Sequence, residues 1–359
     1  MNQEIRFCAA PDGTRIAFAV VGDGPPLVKA PNWLTHLEFE WNSPVWRHWW
    51  EELARDFTLV RFDQRGSGLS DRIVNEHSFD LWLGDLAAVV DDLGLDRFSM
   101  LGISQGGAFA AAYIVQNPGR VDRLVMYGAY PRGQAMRGGT TEEKFEAMLT
   151  LTRAGWGRDD PAYRQMFTSR FMPGATIEQM TWCNDLQRVS TSGENAADVM
   201  ATLSRIDVLP ILGDVDVPTL VLHATGDMQV PFEQGRQLSS LIPDARFVAL
   251  DGNNHFLLAS EPAWPIAIAE IRAFPGGDAR NDNGVATEFG AAAASPIPAD
   301  LTTREVEVLR HLAPAARTAR SPTSCSSRRT SWPTTYRTSS PRRPPPIELK
   351  RRHSRPGMD

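Results

Sequence analysis

Cysteine is scarce and scattered in this chain of 359 residues: Cys8, Cys183 and Cys325 are far apart and odd in number. They form neither a disulfide framework nor a metal-ligand cluster, which suits a reducing compartment and predicts a cytoplasmic protein. Long apolar runs are missing too, so no stretch approaches the roughly 20 residues of a membrane-spanning helix and no membrane partner is expected. The opening Met1-Asn2-Gln3-Glu4-Ile5-Arg6-Phe7 lacks the basic start and following apolar run of a signal peptide. Phosphate-binding glycine loops and zinc spacings are absent, so the sequence predicts neither cofactor nor metal. No internal repeat occurs.

What is present is the composition of a globular protein, 42% hydrophobic and 22% charged. The formal charge of −6 hides an asymmetry: from Pro314 to Asp359 there are eleven Lys/Arg against two acids, leaving 26 bases and 41 acids elsewhere. An acidic body thus carries a basic tail, and such splits mark segments of different role.

Arg6 to Ala10 and Thr14 to Val20 flank Pro11-Asp12-Gly13 and read as a β-hairpin. Further strands are expected at Pro26–Ala30, Thr58–Phe62, Arg97–Leu101 and Asp122–Gly128, with helices at Trp46–Arg55, Asp80–Leu93 and after Ser104. This alternation predicts an α/β fold with a mostly parallel sheet and helices on both faces. The alternation stops at 132–207, which contains helix-like runs (Thr141–Thr152, Pro161–Phe171) and reads as an inserted helical cap. It resumes with strands at Thr219–His223 and Arg246–Leu250 and helices at Phe232–Leu241 and Pro262–Phe274. Residues 1–131 and 208–274 are therefore two parts of one core. Residues 275–300 read as a flexible linker, Leu301–Arg310 as a short helix capped by Thr302 and Glu305, and 314–359 as a basic segment with too little apolar content to fold.

The motif that carries chemistry is Gly102-Ile103-Ser104-Gln105-Gly106, lying between strand and helix. A serine on that tight turn is held in strained geometry with its hydroxyl exposed, and flanking glycines avoid collisions. A nucleophilic serine needs a base and a group to orient that base. Asp227, beyond the end of one strand, and His255, beyond the next, follow in the order nucleophile, acid, histidine; Asp251 is the competing carboxylate. The expected oxyanion donors are the backbone N–H groups of Gln105 and Trp33, with Asn32 tolerating a left-handed backbone in the loop before Trp33. Trp33 and His36 are candidate substrate-binding residues. Asp63 and Arg65, in Asp63-Gln64-Arg65-Gly66-Ser67-Gly68, are expected to pair and pin their loop. Most of the ten tryptophans are expected to pack, with Trp33 and some cap aromatics lining an apolar acyl pocket.

Residues from about 4 to 274 resemble an α/β-hydrolase, on Asp63–Gly68, Gly102–Gly106, Gly226-Asp227 and Asn254-His255. More narrowly, Pro31-Asn32-Trp33-Leu34-Thr35-His36-Leu37-Glu38 and Phe232-Glu233-Gln234-Gly235-Arg236 are similar to bacterial fusions of such a hydrolase to a regulatory domain. Leu301 to Leu309 resembles the first helix of a LuxR-type helix-turn-helix. The resemblance implies a serine hydrolase acting on a small acyl compound, or a ligand-sensing transcriptional regulator, with perhydrolase or cofactor-free haloperoxidase activity a neighbouring option. Serine at residue 104 argues against dehalogenases and epoxide hydrolases, which place aspartate there. The second and recognition helices are missing after Ala313, so 301–313 reads as a remnant and DNA as a doubtful partner. A one-nucleotide frameshift within the tail is one explanation.

Overall fold

The computed structural model of the chain describes residues 2–138 and 142–274. Strands β1 (Glu4–Ala9) and β2 (Arg15–Val21) pair antiparallel, with Cys8 opposite Ile16. The Asp12 carboxylate accepts the Thr14 N–H at 3.0 Å and shapes the turn between them. Then come β3 (Pro26–Lys29), α1 (Leu37–Trp41), α2 (Arg47–Asp56), β4 (Thr58–Phe62), α3 (Phe79–Asp92), β5 (Phe98–Ile103), α4 (Gly106–Gln116) and β6 (Val121–Tyr127). Four helices intervene: α5 (Glu142–Gly155), α6 (Ala162–Phe171), α7 (Ile177–Ser190) and α8 (Gly193–Ser204). The core resumes with β7 (Thr219–Ala224), α9 (Phe232–Leu241), β8 (Arg246–Leu250) and α10 (Ala263–Ala273).

All eight strands form one sheet in the order β1-β2-β4-β3-β5-β6-β7-β8. β2 pairs antiparallel with β4, and from β4 onward every neighbour is parallel. Strands β5 and β7 are buried along their whole length, which is why they read as largely apolar runs rather than alternating ones. The parallel order gathers the loops at the strands' C-terminal ends, where Ser104, Asp227 and His255 lie.

Helix α7 begins with a full capping box between Thr176 and Gln179, and Ser192 caps α8. Trp46 just before α2 and Trp49 and Trp50 on it are buried, with Trp46 stacked on Trp50 at 5.5 Å and Trp49 against Tyr127 of β6 at 5.4 Å. These indoles are packing residues. No helix among the described residues is long and apolar enough to cross a membrane. The linker, helix-turn-helix remnant and basic tail expected at 275–359 lie outside the described residues.

Candidate active site

Ser104 closes β5 and opens α4 with φ at +55°, a region that β-carbon-bearing residues avoid. Its N–H donates to the Tyr127 carbonyl at 2.9 Å, tying the turn to the end of β6. The turn depends on glycine: a β-carbon at Gly102 would sit 2.6 Å from the Gly107 backbone. One at Gly106 would sit 3.2 Å from the Pro31 carbonyl, so the loop after β3 approaches the serine turn closely.

That loop carries Trp33, and Trp33, Ser104 and Gln105 all line one cavity of about 230 Å³. No hydrogen bond within the described residues uses the backbone N–H of Trp33 or Gln105. Both remain available to a developing oxyanion. The loop is held from below by the buried Lys29 ammonium, which donates to the Asn32 side-chain oxygen. Asn32 does not take the left-handed backbone expected of it; Leu34 does, with φ at +56°. The Lys29–Asn32 contact offers the physical reason, since it fixes the earlier part of the loop and leaves the reversal to fall later.

Asp227 lies beyond β7 and His255 beyond β8. His255 Nδ1 is 2.7 Å from Asp227 Oδ2, so with its proton on Nδ1 the imidazole donates to the carboxylate. Asp227 Oδ1 accepts the N–H groups of Gln229 and Val230, each at 2.8 Å. Burial works to raise the Asp227 pKa, but the charge and hydrogen bond of His255 outweigh it and hold the carboxyl below its ordinary 3.8. Asp251, the competing carboxylate, is exposed and makes no bond to the ring.

The His255 ring is fully buried and its backbone N–H donates to the Phe171 carbonyl of the cap at 2.7 Å. Its Nε2 has no hydrogen-bond partner. Ser104 and His255 border the same turn: Ser104 bonds Tyr127, while a β-carbon on the next residue, Gly128, would lie 3.1 Å from His255 Cε1. The serine–histidine hydrogen bond itself is not formed; such bonds are often loose without substrate and tighten as the reaction complex assembles.

Two sequence expectations take different form. His36 Nδ1 accepts the Phe39 N–H at the start of α1, and His36 is not among the residues lining the cavity. Its ring is engaged as a helix cap. Asp63 and Arg65 do not pair: Asp63 Oδ2 accepts the Leu37 and Leu69 N–H groups, while Arg65 forks onto buried Asp85 and reaches Asp12. The loop is pinned as expected, by partners brought from other elements.

Sequence reading expected cap aromatics at the pocket but missed the cap's other groups: Arg137, Arg170 and Met200 join Phe167 in the cavity wall, with Tyr130 from just before the cap. It also missed His223, buried behind Asp227, whose Nε2 is 3.0 Å from the Val230 carbonyl. Asn254 was read only as a neighbour of His255; its side chain accepts the Gly174 N–H at 2.9 Å and joins cap to core. Local sequence signals for the cap residues and Asn254 are weak because their contacts are remote along the chain, whereas His223 meets nearby Val230 through a contact that no motif marks. Among the described residues no group of three or more His, Cys, Asp or Glu is arranged to hold a metal ion.

A family model described as alpha/beta hydrolase fold matches residues 34–262. A non-heme chloroperoxidase of Streptomyces lividans is 28% identical over 265 residues, covering 70% of this chain and 93% of the relative. A bifunctional esterase/perhydrolase of Acinetobacter calcoaceticus is 28% identical over 219 residues, covering 58% of this chain and 79% of the relative. Among solved structures, an esterase from Exiguobacterium antarcticum superposes with a TM-score of 0.63 at 22% identity, covering 75% of this chain and 98% of that one.

Proposed function

We propose, because the chain belongs to the alpha/beta hydrolase fold family, that it is a serine hydrolase cleaving a small ester or related acyl compound through Ser104, His255 and Asp227. The Ser104 hydroxyl attacks the carbonyl carbon while His255 Nε2 takes its proton. The resulting imidazolium is stabilised by Asp227, and the oxyanion is received by the N–H groups of Gln105 and Trp33. The proton then passes to the leaving alcohol as the acyl–oxygen bond breaks. Water, activated by the same imidazole, releases the acid and restores the serine. The observation that carries this reading is the 2.7 Å bond from His255 to Asp227, which leaves the far ring nitrogen without a partner; a serine held at positive φ after β5 supports it.

Replacing Ser104 by alanine is expected to lower kcat on p-nitrophenyl esters by about 10⁴-fold or more, and to remove covalent labelling by a fluorophosphonate. Equal activity in the two proteins would sink the reading.

The chloroperoxidase and perhydrolase names of the relatives favour a second activity at the same centre. Hydrogen peroxide in place of water would take the acyl group from Ser104 and leave as a peracid. A peracid assay with acetate and peroxide tests it. The LuxR-like stretch 301–309 adds a DNA-binding module to the proposal only on sequence resemblance; a gel shift with the full chain, compared across DNA sequences, decides it.

A further inference from the structure

The wall of the cavity that holds Ser104 is largely apolar on the cap side, with Phe145, Met148, Phe167, Met200 and Leu203. Set into it are two guanidinium groups, Arg137 and Arg170. An apolar pocket does not need a cation for its own stability, because desolvating one is costly unless it is paired. Within the described residues no carboxylate lies within ion-pair distance of either guanidinium. Arg137 uses its Nε–H on the Arg132 carbonyl and lies over the Tyr130 ring at 4.3 Å, and Tyr130 itself faces the cavity. This stacking fixes the plane of the fork and leaves its terminal N–H groups for another partner. Arg170, more exposed, makes only a long 3.5 Å bond to the Met228 carbonyl.

Asp227 is the carboxylate that interacts electrostatically with Arg137. It is not available as a partner, because its two oxygens are engaged by His255, Gln229 and Val230. Burial also pulls the Arg137 pKa below its ordinary value, a cost that an anionic ligand would offset.

We infer that Arg137, with Arg170 at the rim, binds a carboxylate carried by the substrate. The preferred substrate is then an ester or lactone with a second, ionised acid group, its apolar segment lying along the methionine and phenylalanine wall. The planar fork of arginine matches a carboxylate with two parallel hydrogen bonds. The flexible methionines accept chains of varied shape. A cavity of about 230 Å³ limits the substrate to a small one.

This inference rests on the hydrolase reading of Ser104, and two arms separate their failures. The first compares mono-p-nitrophenyl glutarate with its methyl ester, which has the same chain and no charge, using the full-length protein. Wild type is expected to favour the acid by about ten-fold or more in kcat/KM, mostly through KM. Arg137→Met should bring that ratio close to one, while Arg137→Lys should keep part of it. The second arm needs no turnover: Ser104→Ala is titrated calorimetrically with monomethyl glutarate and dimethyl glutarate. The acid is expected to bind about ten-fold tighter, less so as salt rises. Equal affinities, or a wild-type enzyme indifferent to the charge, overturn the carboxylate site. Wild-type turnover no greater than that of Ser104→Ala, with the binding preference intact, would overturn the catalytic reading alone.

Discussion

Gly128 has a φ of +55°, and its missing side chain faces the proposed base. A β-carbon there would approach His255 Cε1 to 3.1 Å and Nδ1 to 3.2 Å, closer than most real contacts allow. Gly128→Ala should therefore displace the ring and lower kcat by about 10–100-fold, with a smaller change in KM. Steady-state kinetics on a p-nitrophenyl ester checks it; an alanine enzyme with wild-type kcat would refute the geometry. A second residue-scale expectation concerns Glu40, buried against Arg61 at 3.2 Å. Burial raises its pKa from 4.5 to about 7, opposed by the charges of Lys29 and Arg61 and reinforced by Asp63. The folded state thus holds this proton more tightly than the unfolded chain does, so its contribution to stability is present below 4.5 and is lost as pH rises through about 7. Lys29, lowered by burial from 10.5 to about 8, behaves oppositely and regains stability as pH climbs from about 8 to 10.5. Urea midpoints at pH 4.5 and pH 7.5 should fall more for wild type than for Glu40→Gln; parallel changes would sink this account.

Between elements, a two-pronged polar tie is the fork of Arg65 onto Asp85, with contacts of 2.8 and 2.6 Å, both side chains almost wholly buried. It joins the loop after β4 to α3 and thereby steadies the strand ends beside the site. Asp85→Ala would leave the guanidinium buried with only half-exposed Asp12 as a partner, so a loss of about 3–5 kcal/mol in unfolding free energy is expected by denaturant titration. A loss below about 1 kcal/mol would mean that water replaces the carboxylate. The Asp63–Gly68 segment announced a pinned loop in the sequence. The partners themselves were hidden, because Arg65 chooses among carboxylates brought near by β1, β2 and α3 and not by its neighbours in the chain.

For the whole molecule, every residue assigned a role at the site falls between Trp33 and His255, inside or bordering the stretch that matches the family model. A chain ending after residue 275 should accordingly keep the kcat/KM of the full chain on a neutral ester. A marked loss would assign the C-terminal segment a part in the hydrolase itself. The cap belongs to this scale as well: the His255 N–H meets the Phe171 carbonyl and Asn254 meets Gly174, so the placing of His255 depends on the segment inserted after β6.

The sequence alone determined what local sterics and periodicity can write: the hairpin around Pro11-Asp12-Gly13, the largely apolar strands, and the glycine-flanked turn that holds Ser104 at positive φ. It also ordered Asp227 and His255 after the serine. Only the tertiary structure decided that Asp227 rather than Asp251 meets His255, that His36 caps a helix, and that Arg137 and Arg170 face the cavity. Backbone strain at a turn is set by the few residues that form it. Pairing among buried charges is set by which distant side chains share a space without water, and that exclusion exists only once the chain has folded.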